Sequence, residues 1–230
     1  MKVLTSLRTV GNVGRPAASL QRDARECLLN AATELFAAQG VAATTFAMIA
    51  KRAGLTPAML HYYFKDRDQL LDAVVDERLL WVVSHVWAPV QPGEDADESI
   101  RGIVERLLEG IEKMPWIPST WMREVLNEDG LLRERILQYL PYDKVQGVAR
   151  TIAAGQKRNL LNPELDPLLT VFSTLGLVML HMASVKVWPQ AFDREPLSRR
   201  RMQRHITALL LDGLRHKETG NSAHSRKKKR

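Results

Sequence analysis

The sequence predicts an all-α protein, with three short N-terminal helices followed by a larger helical domain. From about Arg22 onward apolar residues recur at helical spacing, and no strand-like alternation closed by Asn-Gly or Asp-Gly turns occurs. Pro115, Pro118, Pro141, Pro163 and Pro189 punctuate the periodic stretches and divide them into separate helices. The 230 residues, 45% hydrophobic and 26% charged, suffice to bury a real core. A single cysteine, Cys27, excludes a disulfide framework and a cysteine-rich zinc site. No glycine-rich nucleotide loop, HExxH, GxSxG or EF-hand pattern is present, which argues against the common enzyme classes.

Charge is unevenly spread along the chain. Residues 1–70 carry 9 Lys+Arg against 5 Asp+Glu, residues 71–195 carry 13 against 19, and residues 196–230 carry 11 against 2. Two basic ends around an acidic middle point to a polyanion partner at the ends.

Residues 1–21 form a basic arm, studded with Gly, Ser and Pro, with no apolar run of signal-peptide length. The first helix is expected at Asp23–Gln39, with Leu28, Ala32, Leu35 and Phe36 on one face and Gly40 as its stop. Thr45 or Thr44 caps a second short helix through Arg52, and Gly54 makes a tight turn. Thr56, followed by Pro57 at the first helical position, starts a third helix ending near Phe64. Asp66 with Gln69 three residues later opens a long fourth helix reaching Trp87. Further helices are expected at Glu98–Lys113, Ser119–Asn127, Leu131–Tyr139, Asp143–Leu160, Asp166–Val187 and Leu197–His216. Residues 217–230 end in the all-basic run Arg226–Arg230 and read as a disordered tail.

Ile49, Ala53, Leu55 and Leu60 are spaced to make a small shared core, and Ala50 lets the second and third helices cross closely. That is helix-turn-helix geometry, whose second element suits a DNA major groove about 12 Å wide. The stretch 24–71 resembles the DNA-binding domain of the tetracycline-repressor (TetR) family. The resemblance rests on Phe36, Gly40, Thr45, Ile49, Ala50, Ala53, Gly54, Tyr63, Phe64, Lys65 and Leu70 falling in one frame. It divides the chain into an arm (1–21), a DNA-binding domain (22–67), a ligand-binding and dimerisation domain (68–216) and a tail (217–230).

The resemblance further implies that Thr45, with Thr44 beside it, meets a phosphate, and that Pro57, Ala58 and Met59 face base edges. Tyr62 and Lys65 then hold phosphates, and His61 stands where the family more often has a backbone-touching tyrosine. A Pro-Ala-Met first turn has no bidentate hydrogen-bonding side chain, so readout leans on apolar contacts or DNA shape. Arg15 in the arm is either a minor-groove clamp or part of a solvated linker. The basic tail either adds phosphate affinity or serves only solubility.

In the larger domain, Trp81, His85, Trp87, Met114, Trp116, Trp121, Met122 and Phe172 form an aromatic and thioether-rich set. They either line a pocket for a small hydrophobic effector or simply fill the core. Leu168–Val185 runs 18 residues without a charge, and a helix buried in a subunit interface explains it better than a membrane span. Phe172, Leu175, Gly176 and Met179, with Ile206, Leu209, Leu210 and Leu214, are the expected dimer contacts. Cys27 is expected to be a buried thiol, and the scattered histidines suit no metal site.

These readings together imply a cytoplasmic, homodimeric, ligand-responsive regulator, most simply a repressor. It would bind a palindromic operator on double-stranded DNA, with no membrane, metal, cofactor or enzymatic activity. A non-specific architectural DNA-binding protein is the alternative.

Overall fold

The computed structural model describes residues 17–215 apart from 92, 186, 194, 196 and 197, and is helical throughout. Among the described residues no β-strand occurs, only an isolated bridge between Leu161 and Arg215. The basic tail and Arg15 lie outside the described residues.

The first three helices are α1 (Ala17–Gln39), α2 (Phe46–Arg52) and α3 (Pro57–Tyr63). α1 starts at Ala17, six residues before the expected Asp23, because nothing in Ala17-Ala-Ser-Leu-Gln-Arg opposes a helix. Its C-terminus is closed by Gly40, whose φ of 87° a residue with a Cβ rarely adopts. Thr45 accepts from the Met48 N–H and Thr56 from the Met59 N–H, so both predicted N-caps form. Between them Gly54, at φ 69°, turns the chain so that the Leu55 N–H reaches the Ala50 carbonyl at 2.9 Å. Leu28, Ala32, Phe36, Ile49, Ala50 and Leu60 are all buried and close a compact core.

The predicted fourth helix is α4 (Arg67–Val74), a π turn (Val75–Leu79) and α5 (Leu80–Trp87). Asp66 caps it by accepting from the Gln69 N–H at 2.9 Å. The expected single rod is therefore interrupted, and the interruption coincides with ion pairs to α1. Glu77 within the π turn binds Arg25 through both carboxylate oxygens, and Arg78 meets Glu26 at 2.6 Å. Two long polar side chains on α1 thus grip the place where the helix winding changes.

In the larger domain α6 (Ala96–Lys113) is central. It packs against α5, α9 (Tyr142–Lys157), α10 (Pro167–Ala183) and α12 (Arg199–Leu214). Its buried side, from Ile100 through Ile103, Val104, Leu107, Leu108 and Ile111, recurs at helical spacing and explains that position. The shorter α7 (Ile117–Thr120) leads into a second π turn (Trp121–Val125) and contacts α1, so the two regions share one continuous core. α8 (Arg133–Leu137) and α11 (Val187–Phe192) complete the fold. α8 is shorter than the expected Leu131–Tyr139, and α11 forms where no separate helix was expected. No described helix is long and apolar enough to cross a membrane.

Candidate nucleic-acid interface

On the outer side of the small domain the first turn of α3 is uncovered. Pro57, Ala58 and Met59 are exposed, as are Thr45, His61, Tyr62 and Lys65. Tyr62 is 71% exposed, unusually open for an aromatic side chain, while Phe64 two residues on is buried. The α3 register causes this split, since Leu60 and Phe64, one turn apart, both point inward. The His61 ring leans against Phe46 at 5.2 Å, which fixes its direction. Met48 of α2 is also exposed, so a thioether from each helix flanks this surface.

Thr44 does not belong to it. It is 1% exposed, its hydroxyl donates to the Gly40 carbonyl at 2.8 Å, and it accepts from Gln39 Nε2 at 3.2 Å. Its role is to tie down the end of α1, and Thr45 alone faces outward. Cys27 corrects another expectation: its thiol is exposed on α1, on the side away from Leu28 and Leu29.

What holds this surface at a fixed angle escaped the sequence reading. Glu124, in the second π turn, is buried and accepts from the Val41 N–H at 2.8 Å and the Leu131 N–H at 3.1 Å. The Arg67 guanidinium donates to the Val41 and Thr44 carbonyls from the other side. The Gly40–Thr44 turn, which enters α2, is therefore held by an acid from the larger domain and a base at the small domain's far edge. Gly130 permits the arrangement, because a Cβ there would stand 2.1 Å from the Glu124 carbonyl oxygen. A lone Glu in a polar stretch carries no sequence signal of burial.

The predicted effector residues lie on several different faces of the larger domain. Trp81 is 39% exposed and stacks on His85 at 4.9 Å, with Lys113 Nζ 4.9 Å above the Trp81 ring. His85 Nε2 lies 3.2 Å from Glu109, so these four residues form a ladder along the outside of α5 and α6. Trp87 is buried in the core, whereas Phe172 is exposed on α10. Met114, Trp116, Trp121 and Met122 are half-buried and pack against the core. Helical phase explains the separation, since Trp81 and His85 share one face and Trp87 points from another. Burial of Trp87 accords with the core-filling alternative. The cavity of about 530 Å³ lies elsewhere, walled by Val185, Trp188, Phe192, Arg201 and Met202. There Trp188 and Phe192 stack at 5.3 Å, and the indole N–H donates to Ser184 Oγ at 2.8 Å.

The expected dimer contacts also divide. Met179 of α10 and Ile206, Leu210 and Leu214 of α12 are buried within the chain itself, because both helices pack against α6. Phe172, Gly176 and Leu209 are exposed and Leu175 is half-buried. Leu169 and Leu180 extend the exposed α10 stripe, and nothing stands within 4 Å of a Cβ placed at Gly176.

Residues 28–74 match the family model described as bacterial regulatory proteins, tetR family. That stretch is a DNA-binding domain of the tetR-family type, and the curated relatives that the chain resembles are transcriptional regulators. The chain is 29% identical over 148 residues to the HTH-type transcriptional regulator AcrR of Shigella flexneri, covering 60% of this chain and 58% of that one. To the HTH-type transcriptional regulator BetI of Rhizobium meliloti it is 25% identical over 107 residues, 46% of this chain and 53% of the relative. The chain thus spans a little over half the length of these two curated relatives. In fold it is similar to the ketosteroid transcriptional regulator KstR2 of Mycobacterium tuberculosis. That comparison has a TM-score of 0.66 and 20% identity, over 91% of this chain and all of the other.

Proposed function

We infer that this chain is a homodimeric repressor that binds a near-palindromic operator and leaves it when a small apolar molecule binds. The observation that carries this reading is the uncovered first turn of α3, with Thr45, Tyr62 and Lys65 exposed beside it. In this reading Met59 and Ala58 meet base edges, and Thr45, Tyr62 and Lys65 meet phosphates. Two copies joined through the exposed α10 stripe and Leu209 would present two such surfaces about one helical turn of DNA (~34 Å) apart. A self-complementary interface demands a symmetric site, hence the palindrome. The cavity of about 530 Å³, walled by Trp188, Phe192 and Met202 with Asp193, Glu195 and Arg201 also at its edge, is of a size to admit a small, largely hydrophobic effector. An effector acts only through unequal affinity for the DNA-competent and DNA-incompetent arrangements.

DNase footprinting with the full chain tests the reading, using the DNA upstream of its own gene. A bounded, two-fold protected site supports it. Uniform protection without edges would support instead the architectural reading.

A further inference from the structure

A second cavity, of about 470 Å³, runs along a largely exposed side of α12 next to Arg101 of α6, on a different side from Leu209. Its walls include Arg200, Arg204 and Arg215 of α12 and Arg101 of α6. α12 repeats this face every three to four residues, so Arg200 and Arg204 stand one turn apart and Arg215 about 22 Å from the first along the axis. Asp212 is the groove's carboxylate, and it pairs with Arg215 at 3.2 Å. Arg101, Arg200 and Arg204 have no ion pair among the described residues. Arg199, one position away on a different face, has Glu112 at 2.7 Å. Like charges one turn apart on a helix repel, so the groove gathers positive charge that α12 itself does not neutralise.

The floor supplies an independent observation. Thr207 is 6% exposed and lines the groove, yet its Oγ1 has no hydrogen-bond partner. A helical threonine ordinarily bonds back to the carbonyl four residues earlier, as Thr170 and Thr174 do here at 2.8 and 2.9 Å. A buried hydroxyl left open costs stability unless something enters the groove to meet it.

We propose that this groove binds a small phosphate-bearing molecule with at least two negative charges. The guanidinium forks of Arg101, Arg200 and Arg204 grip phosphoryl oxygens, and the Thr207 hydroxyl donates to one of them. Planar guanidinium pairs match phosphate oxygens bidentately, which lysines would not. Asp212 and Gln203 remain as acceptor and donor for a hydroxyl or amide on the body of the molecule. The site is independent of the α3 surface and of the aromatic cavity, so it stands whether or not the operator reading does.

Isothermal titration of the full chain with inorganic pyrophosphate, at constant ionic strength, tests it. One saturable site per chain is expected. The double substitution Arg200→Gln/Arg204→Gln should weaken that site by about a hundredfold, roughly tenfold for each guanidinium lost. Thr207→Val, which keeps the volume, should weaken it several-fold, whereas Arg199→Gln should leave it unchanged. Unchanged helicity by circular dichroism separates these effects from misfolding. Three results would overturn the proposal. Pyrophosphate could bind the double variant as tightly as the parent, which would place its binding on the basic termini. Succinate could bind as tightly as pyrophosphate, which would make the groove a carboxylate site. The double variant could lose affinity for a mixed-sequence DNA duplex as steeply as for pyrophosphate, which would make the groove part of a nucleic-acid surface.

Discussion

The small domain and the larger one expose apolar side chains in different ways. Among described residues up to Phe64, the large apolar side chains at the surface are Met48, Met59 and Tyr62, all on α2 or α3. In the larger domain many lie on α10, α11 and α12, at Leu169, Phe172, Leu180, Val187, Trp188, Phe192 and Leu209, with others such as Trp81, Leu126, Leu131, Tyr139, Tyr142 and Leu160 scattered elsewhere. A few thioethers and a phenol set among polar groups suit a wet, charged partner such as DNA. A run of aliphatic and aromatic side chains along one helix, as on α10, suits a second protein surface. The two exposures therefore point to two partners, and each can be attacked without touching the other.

The largest expected effect comes from Gly176→Arg. No atom lies near a Cβ at this position, so the chain itself should fold unchanged. A charged side chain in the middle of the α10 stripe should halve the mass seen by sedimentation. Operator affinity should fall by about a hundredfold or more, because paired half-sites would no longer be engaged together. A variant that stays dimeric would mean that the stripe serves something other than self-association.

Next in size is Glu124→Ala, which acts on the seam between the regions. It removes the acceptor for two N–H groups, Val41 and Leu131, in a buried place. Leaving them unmet should cost about 2–4 kcal/mol, or roughly 5–15 °C in melting temperature for a chain of this size. Because Val41 opens the turn into α2, operator binding should weaken more than the loss of folded protein explains. A variant that melts early but binds normally when folded would show that the seam is structural only.

The same contrast explains what could be read in advance. The helix-turn-helix was legible because its signals are local: Gly40 and Gly54 at positive φ, Thr45 and Thr56 as caps, and Pro57 at the first helical position. Each acts within four residues, and the apolar spacing agrees with all of them. The larger domain was legible as helices but not as surfaces. Whether Ile206 or Leu209 of α12 faces inward depends on where α6 lies, which is a long-range fact. Periodicity finds an apolar residue and not the side on which its neighbour will sit. Likewise Trp81 and Trp87 looked alike in sequence and ended on opposite sides of the protein surface. Glu124 failed for a related reason, since its buried role comes from the distant Val41 N–H, whereas the Thr44 hydroxyl turns back to Gly40 within its own turn.

A smaller effect is expected from Lys65→Ala on the DNA-facing side. Its side chain is exposed, so stability should change little. Loss of one phosphate contact should lower affinity for all sequences by a similar factor and reduce the salt slope by about one. Met59 substitutions should instead alter which operator is preferred. An unaltered salt slope in gel shifts at several ionic strengths would remove α3 and its flank from the DNA.

The smallest effect concerns the ion pair that joins α1 to the first π turn. Arg25 donates two hydrogen bonds to Glu77, and the second spans 2.6 Å. That bonding holds the Glu77 carboxyl below its ordinary range, against the opposing effect of partial burial, with attraction from Arg25 and Arg78 assisting. A carboxyl depressed by folding stabilises the native state above its unfolded pKa, about 4.3 for Glu, and the benefit disappears as pH falls through the lower folded value. Both side chains are about one-third exposed, so solvent screening limits the pair to at most about 1 kcal/mol. Glu77→Gln should therefore melt roughly 2–4 °C below the parent at pH 7. The two curves should approach each other below about pH 4, where the parent's own carboxylate takes up a proton. A gap that stayed constant from pH 7 to pH 3 would mean that Glu77 matters through packing against the π turn and not through its charge. The winding change at Val75–Leu79 would then need another anchor on α1, with Arg78 and its partner Glu26 the next pair to remove.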